Sequence, residues 1–390
     1  MKKWMSLLVA TAVAATMVTG CGNSASAPAG EAAASASGNW KIGSIGPVTG
    51  AAAVYGQAVK NGAQLAVDEI NAAGGIAGVQ IDYNYQDDEH DAEKAVNAYN
   101  TLKDWGMQML MGTVTSSPCV AVVEKTHEDN MFQLTPSGSS VDSIKYDNAF
   151  RVCFSDPNQG AASAQYIGEN KLATKIAVIY NSSDVYSSGI YQKFAENAPA
   201  QGLEVVSAEA FTADNATDFS VQLQKAKDAG AELVFLPIYY TEASIILKQA
   251  STMGYAPIFF GCDGLDGLLA VEDFDTSLAE GVMLLTPFAA DAKDEKTQSF
   301  VKAFNEKFKE TPNQFAADAY DAIYAMKAAL EKAGATPDKS ASELCDLMKK
   351  AMTEITVDGV TGAGMTWSAD GEPNKAPKAV KIVNGEYAAM

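Results

Sequence analysis

The sequence predicts an α/β protein with two lobes, each built on a parallel sheet that is covered by helices. Runs of strand length alternate with amphipathic helical stretches, which is the pattern of parallel sheets with helices on both faces. The alternation restarts after Phe150-Arg151-Val152, as expected for a second block of the same kind. A chain of 390 residues also exceeds what one hydrophobic core usually supports, so two Rossmann-like lobes are expected.

The first block of alternating elements extends from residue 41 to about residue 135. Each strand is a short apolar run, and each helix carries apolar residues three or four positions apart. The predicted strands are Lys41–Ile45, Val79–Tyr85, Met107–Gly112 and Met131–Thr135. The predicted helices are 56–72, which ends before Gly74-Gly75, Asp91–Trp105, and a helix that starts at Ser116-Ser117-Pro118 and ends near Asn130.

The second block repeats the alternation, and the C-terminal part is mostly helical. Its predicted helices are Asn158–Asn170, Ser187–Pro199, Phe219–Ala229 and Thr241–Met253. Its predicted strands are Lys175–Tyr180, Leu203–Ala208, Leu233–Leu236 and Ile258–Phe260. Helices are expected between Asp294 and Lys350, followed by two short strands at Gly364–Trp367 and Ala379–Val383.

Composition excludes several classes of function. The formal net charge of −20 argues against nucleic acid as a partner, because no basic patch is available to replace counterions. The two histidines, His90 and His127, have no cysteine or second histidine at ligand spacing. The motifs of serine hydrolases, zinc proteases, P-loops and dinucleotide sites are absent from the sequence. We therefore expect no metal, no cofactor and no enzymatic activity.

The N-terminus predicts export and a lipid anchor. Two lysines precede an apolar stretch, Trp4–Val18, that is too short for a stable membrane span. It ends in Val18-Thr19-Gly20-Cys21, which looks like a bacterial lipobox with Cys21 as the lipidated residue. Residues 1–20 are thus a predicted signal peptide, and residues 21–39, rich in Ala, Ser and Gly, a flexible tether. The protein would lie on the outer face of the cytoplasmic membrane or in the periplasm.

The four cysteines beyond the N-terminus are Cys119, Cys153, Cys262 and Cys345. They are widely spaced and include no CxxC pair, so they do not indicate a zinc or thioredoxin-like site. Buried free thiols are expected, although a disulfide outside the cell is an alternative that spacing cannot assign.

Two hydroxyl-rich loops follow successive strands in the stretch Met107–Ser140. The first contains Ser116-Ser117 and the second Ser137-Gly138-Ser139-Ser140. In an open parallel sheet both loops lie at the carboxyl edge, where ligands bind, and a helix start there favours an anion such as a carboxylate. The alternative is that these residues only form turns and helix caps.

Two further groups of residues have both a structural and a functional interpretation. Asp87-Asp88-Glu89 could hold a cation, but a solvated turn after a strand is the simpler interpretation. Tyr186 and Tyr239-Tyr240 lie near strand ends, where aromatic side chains pack into a core or form the walls of a ligand cleft.

Several motifs together resemble those of the leucine/isoleucine/valine-binding protein family. The most characteristic is the run Asp68–Gly78, in which Ile70-Asn71 precedes Gly74-Gly75-Ile76. The others are Gly46-Pro47-Val48-Thr49-Gly50, Tyr55-Gly56, Asp87-Asp88, Ser116-Ser117, Thr135-Pro136-Ser137, Asp156, Gln159-Gly160 and Phe219. The resemblance covers Lys41–Tyr387.

The resemblance implies a type I periplasmic-binding fold, in which three hinge strands join two lobes. Lobe I would comprise residues 40–155 and 287–366, and lobe II residues 156–286 and 367–390. It also implies a monomeric substrate-binding subunit of an ABC importer, with membrane permease subunits as partners. The ligand would be a branched-chain or other neutral amino acid. The alternatives are a binder of amides, urea or aromatic acids, and a sensory subunit of a membrane receptor.

The family's ligand-binding pattern can be transferred to this sequence by position. The ligand carboxylate would contact the first hydroxyl loop, and the second loop would contact both carboxylate and ammonium. Asp263 would pair with the ammonium, and tyrosines would line the cleft. The predicted ligand-binding residues are Tyr55, Ser116, Ser117, Ser137, Gly138, Ser139, Tyr186, Tyr239 and Asp263. One departure is that His90 and Thr115 stand near the places where some members carry a disulfide.

Overall fold

The computed structural model describes residues 38–390. The predicted signal peptide, Cys21 and most of the predicted tether lie outside this range. Within it, no helix combines the length and the apolar composition that a membrane crossing requires.

Twelve strands and ten α-helices alternate along the described chain. The strands are β1 (Trp40–Gly46), β2 (Ile81–Asp87), β3 (Met109–Gly112), β4 (Gln133–Thr135), β5 (Ala149–Arg151), β6 (Lys175–Asn181), β7 (Glu204–Phe211), β8 (Leu233–Leu236), β9 (Ile258–Gly261), β10 (Met283–Thr286), β11 (Lys378–Val383) and β12 (Glu386–Ala389). The helices are α1 (Ala53–Ala72), α2 (Ala92–Trp105), α3 (Ser116–Glu128), α4 (Asp156–Glu169), α5 (Val185–Asn197), α6 (Ser220–Asp228), α7 (Tyr240–Thr252), α8 (Glu295–Phe308), α9 (Gln314–Ala333) and α10 (Ala341–Met352).

The first sheet has five parallel strands in the order β2-β1-β3-β4-β5. Helices α1 and α9 cross each other closely on this lobe. A Cβ atom at Gly62 of α1 would lie 2.0 Å from the carbonyl oxygen of Ala316 in α9, so only glycine permits the approach. The hydroxyls of Tyr320 and Tyr324 on α9 donate to Glu69 of α1 at 2.6 and 2.9 Å. A helix from the C-terminal third thus completes the N-terminal lobe.

The second sheet has seven strands in the order β12-β11-β10-β9-β8-β6-β7. The strands from β7 to β10 are parallel, whereas β11 and β12 are antiparallel additions at one edge. All four residues of β8 are buried, in keeping with its continuous apolar run. The fold is therefore the α/β, two-lobe type I periplasmic-binding architecture that the sequence predicts.

The predicted strand Gly364–Trp367 is wrong, and three strands, β5, β10 and β12, were missed. Met365 forms a single bridge with Val357, and Trp367 a single bridge with Pro373. Gly364 adopts a left-handed φ of 61°, which interrupts an extended segment. Strand β5 has three residues and β10 and β12 have four each, too few for their pattern to be separated from the neighbouring loops.

The chain passes between the two sheets three times, after β5, after β10 and after α10. The first and third passages are joined by hydrogen bonds around Arg151. The Trp367 indole donates to the Arg151 carbonyl at 2.7 Å, and the Arg151 N–H donates to the Gly371 carbonyl at 3.1 Å. The segments that connect the lobes therefore contact each other directly.

Each of the four cysteines that the structure describes is buried as a free thiol. This agrees with the expectation of buried thiols for Cys119, Cys153, Cys262 and Cys345.

Candidate functional site

A small cavity, called here the inner cavity, lies between the carboxyl edges of the two sheets. Its free volume is about 10 Å³, close to the space that one water molecule needs. Seven of the nine predicted ligand-binding residues line it, namely Tyr55, Ser116, Ser137, Ser139, Tyr186, Tyr239 and Asp263. The remaining lining residues are Val114, Thr115, Gly264 and Phe315. The two hydroxyl loops and the two tyrosine-bearing strand ends thus converge as the topology predicts.

The start of α3 supplies unpaired backbone donors on the first-lobe side. The first intrahelical bond is from the Cys119 N–H to the Thr115 carbonyl, and Pro118 has no N–H. In residues 38–390, the N–H groups of Ser116 and Ser117 therefore have no acceptor, as is usual in a first turn. The helix dipole adds partial positive charge at this end, so the arrangement suits an anionic oxygen.

The second hydroxyl loop is folded so that its own side chains hold its backbone. The Thr135 hydroxyl donates to the Thr113 carbonyl at 2.6 Å and accepts from the Gly138 N–H at 2.7 Å. The Ser137 hydroxyl donates to the Val114 carbonyl at 2.6 Å, and Ser116 Oγ lies 3.5 Å from Ser139 Oγ. These bonds connect the two loops into one rigid wall.

Arg151 lies fully buried beneath the second loop. Its Nη1 donates to the carbonyls of Gly138 and Ser139, and its Nη2 donates to the Ser140 carbonyl at 3.0 Å. Its only carboxylate partner among the described residues is Glu372, at 3.4 Å. By drawing successive carbonyls to one side, Arg151 fixes the orientation of the loop and places a positive charge behind the wall.

Ser117 and Gly138 do not line the inner cavity, although the sequence predicted them as ligand contacts. The Ser117 hydroxyl faces Asp184 of the second lobe at 3.3 Å. Gly138 packs inward, where a Cβ atom would lie 2.8 Å from both Cys119 Sγ and Thr135 Oγ1. The Ser117 side chain therefore lies at the interface between the lobes, and the lack of a side chain at Gly138 permits the packing of the loop. The N–H of Ser117 remains a free donor in the first turn of α3.

Asp263 forms the polar centre of the second-lobe side. The Tyr186 hydroxyl donates to Asp263 Oδ1 at 2.8 Å, and the Asp263 N–H donates to Gln159 Oε1 at 3.2 Å. Burial raises the pKa of Asp263 to about 7, and the hydrogen bond from Tyr186 offsets part of that rise. A cation beside this carboxylate would restore its charged form.

Aromatic rings enclose the cavity from both lobes. The rings of Tyr186 and Tyr239 stack, with centroids 4.8 Å apart, and Tyr239 meets Tyr55 edge to face at 5.6 Å. Phe315, from the start of α9, packs on Tyr55 at 4.2 Å. Such rings provide apolar walls for an aliphatic or aromatic group.

Direct hydrogen bonds across the cleft join the two lobes. The Tyr55 hydroxyl donates to the Gly264 carbonyl at 2.5 Å and accepts from the Tyr240 N–H at 3.2 Å. The Thr241 hydroxyl donates to the Ala51 carbonyl at 2.8 Å. These bonds account for the small volume of the inner cavity, because they bring the aromatic walls together.

His90 and Thr115 lie side by side, where the resemblance places a disulfide in some relatives. Nδ1 of His90 is 2.9 Å from Thr115 Oγ1, and its ring meets Tyr239 at 5.4 Å. A hydrogen bond thus joins the acidic turn to the first hydroxyl loop. In that turn Asp87 accepts from the Val48 N–H at 2.9 Å and from the Thr49 hydroxyl at 2.6 Å, which is a structural role.

Sequence reasoning missed four of the lining residues and the groups behind them. Val114 and Thr115 adjoin predicted residues, and Gly264 adjoins Asp263, so proximity alone could have suggested them. Phe315 could not be found in this way, because α9 reaches the first lobe only through the fold. Arg151 could have been found, because an arginine within an apolar strand indicates a buried polar contact, since an unpaired buried charge is costly.

The sequence matches a known protein family over most of its length. A model of the periplasmic binding protein family matches residues 39–386. The chain is 31% identical to Leu/Ile/Val-binding protein homolog 3 of Brucella melitensis, over 77% of this chain and 81% of that protein. It is 30% identical to the leucine-, isoleucine-, valine-, threonine-, and alanine-binding protein of Pseudomonas aeruginosa, over 78% and 81% respectively.

A solved structure shares the fold. It is LivJ, the substrate-binding protein of the branched-chain amino acid transporter of Streptococcus pneumoniae, in complex with isoleucine. The TM-score is 0.82 at 29% identity, with 90% of this chain and 98% of that chain covered.

Proposed function

Because this chain belongs to the periplasmic binding protein family, we propose that it is the substrate-binding subunit of an ABC importer for a neutral amino acid. One observation carries the proposal. The inner cavity places free backbone donors at the start of α3 opposite the buried carboxylate of Asp263. An amino acid carries a carboxylate and an ammonium group on the same carbon atom. The backbone donors complement the carboxylate, and Asp263 complements the ammonium.

The proposed ligand lies with its carboxylate against the N–H groups of Ser116 and Ser117 and the hydroxyl of Ser139. Its ammonium pairs with Asp263, whose second hydrogen-bond partner is Tyr186. Its side chain faces the aromatic walls, which favour an apolar group. Branched-chain amino acids are the first candidates, as in the names of the relatives.

We propose that the lobes, 40–155 with 287–366 and 156–286 with 367–390, open and close about the three connecting passages. An inner cavity of about 10 Å³ is too small for an amino acid, so entry requires the walls to separate. The bond between Tyr55 and Gly264 would break on opening. Small-angle scattering with and without saturating ligand tests this motion, and identical radii of gyration in the two states would contradict it.

The proposed location is the outer face of the cytoplasmic membrane or the periplasm, with Cys21 as lipid anchor and residues 21–39 as tether. There the monomeric protein would deliver its ligand to permease subunits, without chemistry of its own. Cys21→Ser should release the protein from membranes or leave the precursor unprocessed. Unchanged processing and membrane fractionation would refute the anchor and leave the binding proposal intact.

A ligand screen tests the proposed binding function. The melting temperature of the purified protein would be measured with each amino acid, small amides, urea and benzoate, because a ligand that binds only the folded state raises it. We expect leucine, isoleucine or valine to give the largest rise, followed by direct calorimetric titration. A rise with amides or benzoate and none with any amino acid would overturn the amino-acid assignment.

A further inference from the structure

A second and larger cavity lies beside the inner one. It has a volume of about 360 Å³, within the range of small-molecule sites. One wall is Ser140–Asp142, which follows the second hydroxyl loop, and the opposite wall is helix α5. Because the walls belong to different sheets, a molecule in this cavity, called here the outer cavity, would touch both lobes.

Asp156 lies at the floor of the outer cavity. It is 2% exposed, and neither carboxylate oxygen has a hydrogen-bond partner within residues 38–390. The Ser139 hydroxyl lies nearby but outside hydrogen-bonding geometry, and burial raises the pKa of Asp156 well above its usual value. A buried carboxylate without partners is rare and costly, so a group that supplies donors and positive charge would be stabilised there.

The helix that faces Asp156 presents a glycine to it. Gly189 of α5 stands opposite, and a Cβ atom there would lie 3.4 Å from both Asp156 Cβ and Oδ2. A glycine within a helix lowers helix stability, so its presence here has a cost that a larger residue would avoid. It leaves only backbone against this face of the carboxylate, whose oxygens are buried between the cavity and the protein.

The rim of the outer cavity combines apolar and acidic groups. Val141 and Val185 are 53% and 40% exposed, unusually open for large aliphatic residues in this protein. Asp142 and Glu196 add carboxylates, and the one lysine that lines the cavity, Lys193, is already paired with Glu196 at 3.0 Å. The cavity therefore combines net negative charge with short apolar surfaces.

We propose that the outer cavity is a binding site for a linear aliphatic amine, distinct from the amino-acid site. Its ammonium lies against Asp156 beside Gly189, and its alkyl chain runs along Val141 and Val185. An occupant that contacts both lobes also favours the closed form, so it tightens amino-acid binding, and the amino acid tightens amine binding by the same factor.

The test uses the purified protein, butylamine as the probe and butanol as a neutral control of similar shape. Calorimetric titration at pH 7 should give a dissociation constant for butylamine on the order of 1 mM, with no measurable heat from butanol. Asp156→Asn, which preserves volume, should weaken amine binding at least about tenfold, because charge-assisted hydrogen bonds are the stronger class. Gly189→Leu, which keeps the charge of Asp156 but places a bulky side chain against it, should do the same.

Two measurements separate this site from the amino-acid site. Asp263→Asn should weaken amino-acid binding and leave the affinity for butylamine unchanged, and Asp156→Asn should do the reverse. Melting curves confirm that each variant is folded. Equal binding of butylamine to wild type and Asp156→Asn overturns the proposal. Loss of amino-acid binding in Asp156→Asn would also overturn it, because that result would assign Asp156 to the inner cavity.

Discussion

The two walls of the inner cavity use different chemistry. On the first lobe the donors are backbone N–H groups and serine hydroxyls, held by the start of α3 and by loops that bond to one another. On the second lobe the polar centre is one side chain, Asp263, supported by the Tyr186 hydroxyl at 2.8 Å. A backbone site survives the loss of one side chain, whereas a site built on one carboxylate does not.

The largest expected effect therefore falls on the second wall. Asp263→Asn removes the charge but keeps an oxygen for Tyr186, so the fold should persist. Leaving one partner of a buried charged pair alone costs about 3–5 kcal/mol, so amino-acid affinity should fall roughly a hundredfold or more. Calorimetric titration measures the loss. Wild-type affinity in a folded Asp263→Asn protein would show that Asp263 does not bind the ammonium.

The pH dependence should sharpen the same contrast. The pKa of Asp263 is about 7 in the ligand-free closed conformation, raised by burial, so Asp263 contributes stability at low pH that is lost as pH rises toward 7. Binding of an ammonium requires the charged form, so amino-acid affinity should rise with pH, by at most about tenfold per unit below 7, and then level off.

The control for this pH prediction is Asp263→Asn. The affinity of this variant for the amino acid, although weak, should change little when the titrations are run at buffer pH values from about 5.5 to about 8. A pH profile with the same slope in wild type and Asp263→Asn would assign the titration to another buried acid, such as Glu242, whose pKa is also raised to about 7.

Arg151 tests whether the first wall depends on its support. Arg151→Met leaves the carbonyls of Gly138, Ser139 and Ser140 without their donor, so the second loop should loosen. We expect about tenfold weaker binding of the amino acid, and a smaller loss for its amide, because the charge behind the wall acts on the ligand carboxylate. Arg151→Lys should recover part of the difference. Equal losses for acid and amide would reduce Arg151 to a structural role.

The smallest effect is expected at Ser116. Its hydroxyl accepts from the Ser140 N–H at 3.2 Å and lies near Ser139, but the N–H groups of Ser116 and Ser117 remain in Ser116→Ala. Loss of one neutral hydrogen bond costs about 1 kcal/mol, or roughly fivefold in affinity. A hundredfold loss in Ser116→Ala would mean that this wall, too, depends on a single side chain.

Local pattern was sufficient for much of the fold and for part of the site. The alternation of strands and helices and the loops at strand ends follow from hydrophobic periodicity and turn residues, and the structure has them. The antiparallel edge strand β12 and the strand β10 are short and lack a distinct pattern. Their pairing depends on partners far along the chain, which periodicity does not contain.

The site residues that sequence reasoning missed also depend on contacts between distant parts of the chain. Phe315 reaches Tyr55 only because α9 crosses α1, and Asp156 faces Gly189 only because the first passage runs beside α5. Ser117 and Gly138 were predicted as contacts from their positions in the loops. The direction of the Ser117 side chain depends on Asp184 of the other lobe, and the packing of Gly138 depends on Cys119, and a linear motif specifies neither.

The close crossing of α1 and α9 sets the order in which the protein can fold. During synthesis α1 is complete long before Ala316 and the rest of α9 have been made, and the whole second sheet apart from its last two strands comes between them. The apolar face of α1, including Val59 and Ala63, therefore stays uncovered until more than three-quarters of the chain exists. A nascent chain halted before Gln314 would carry an incomplete first lobe with exposed apolar surface, which chaperones or proteases would recognise.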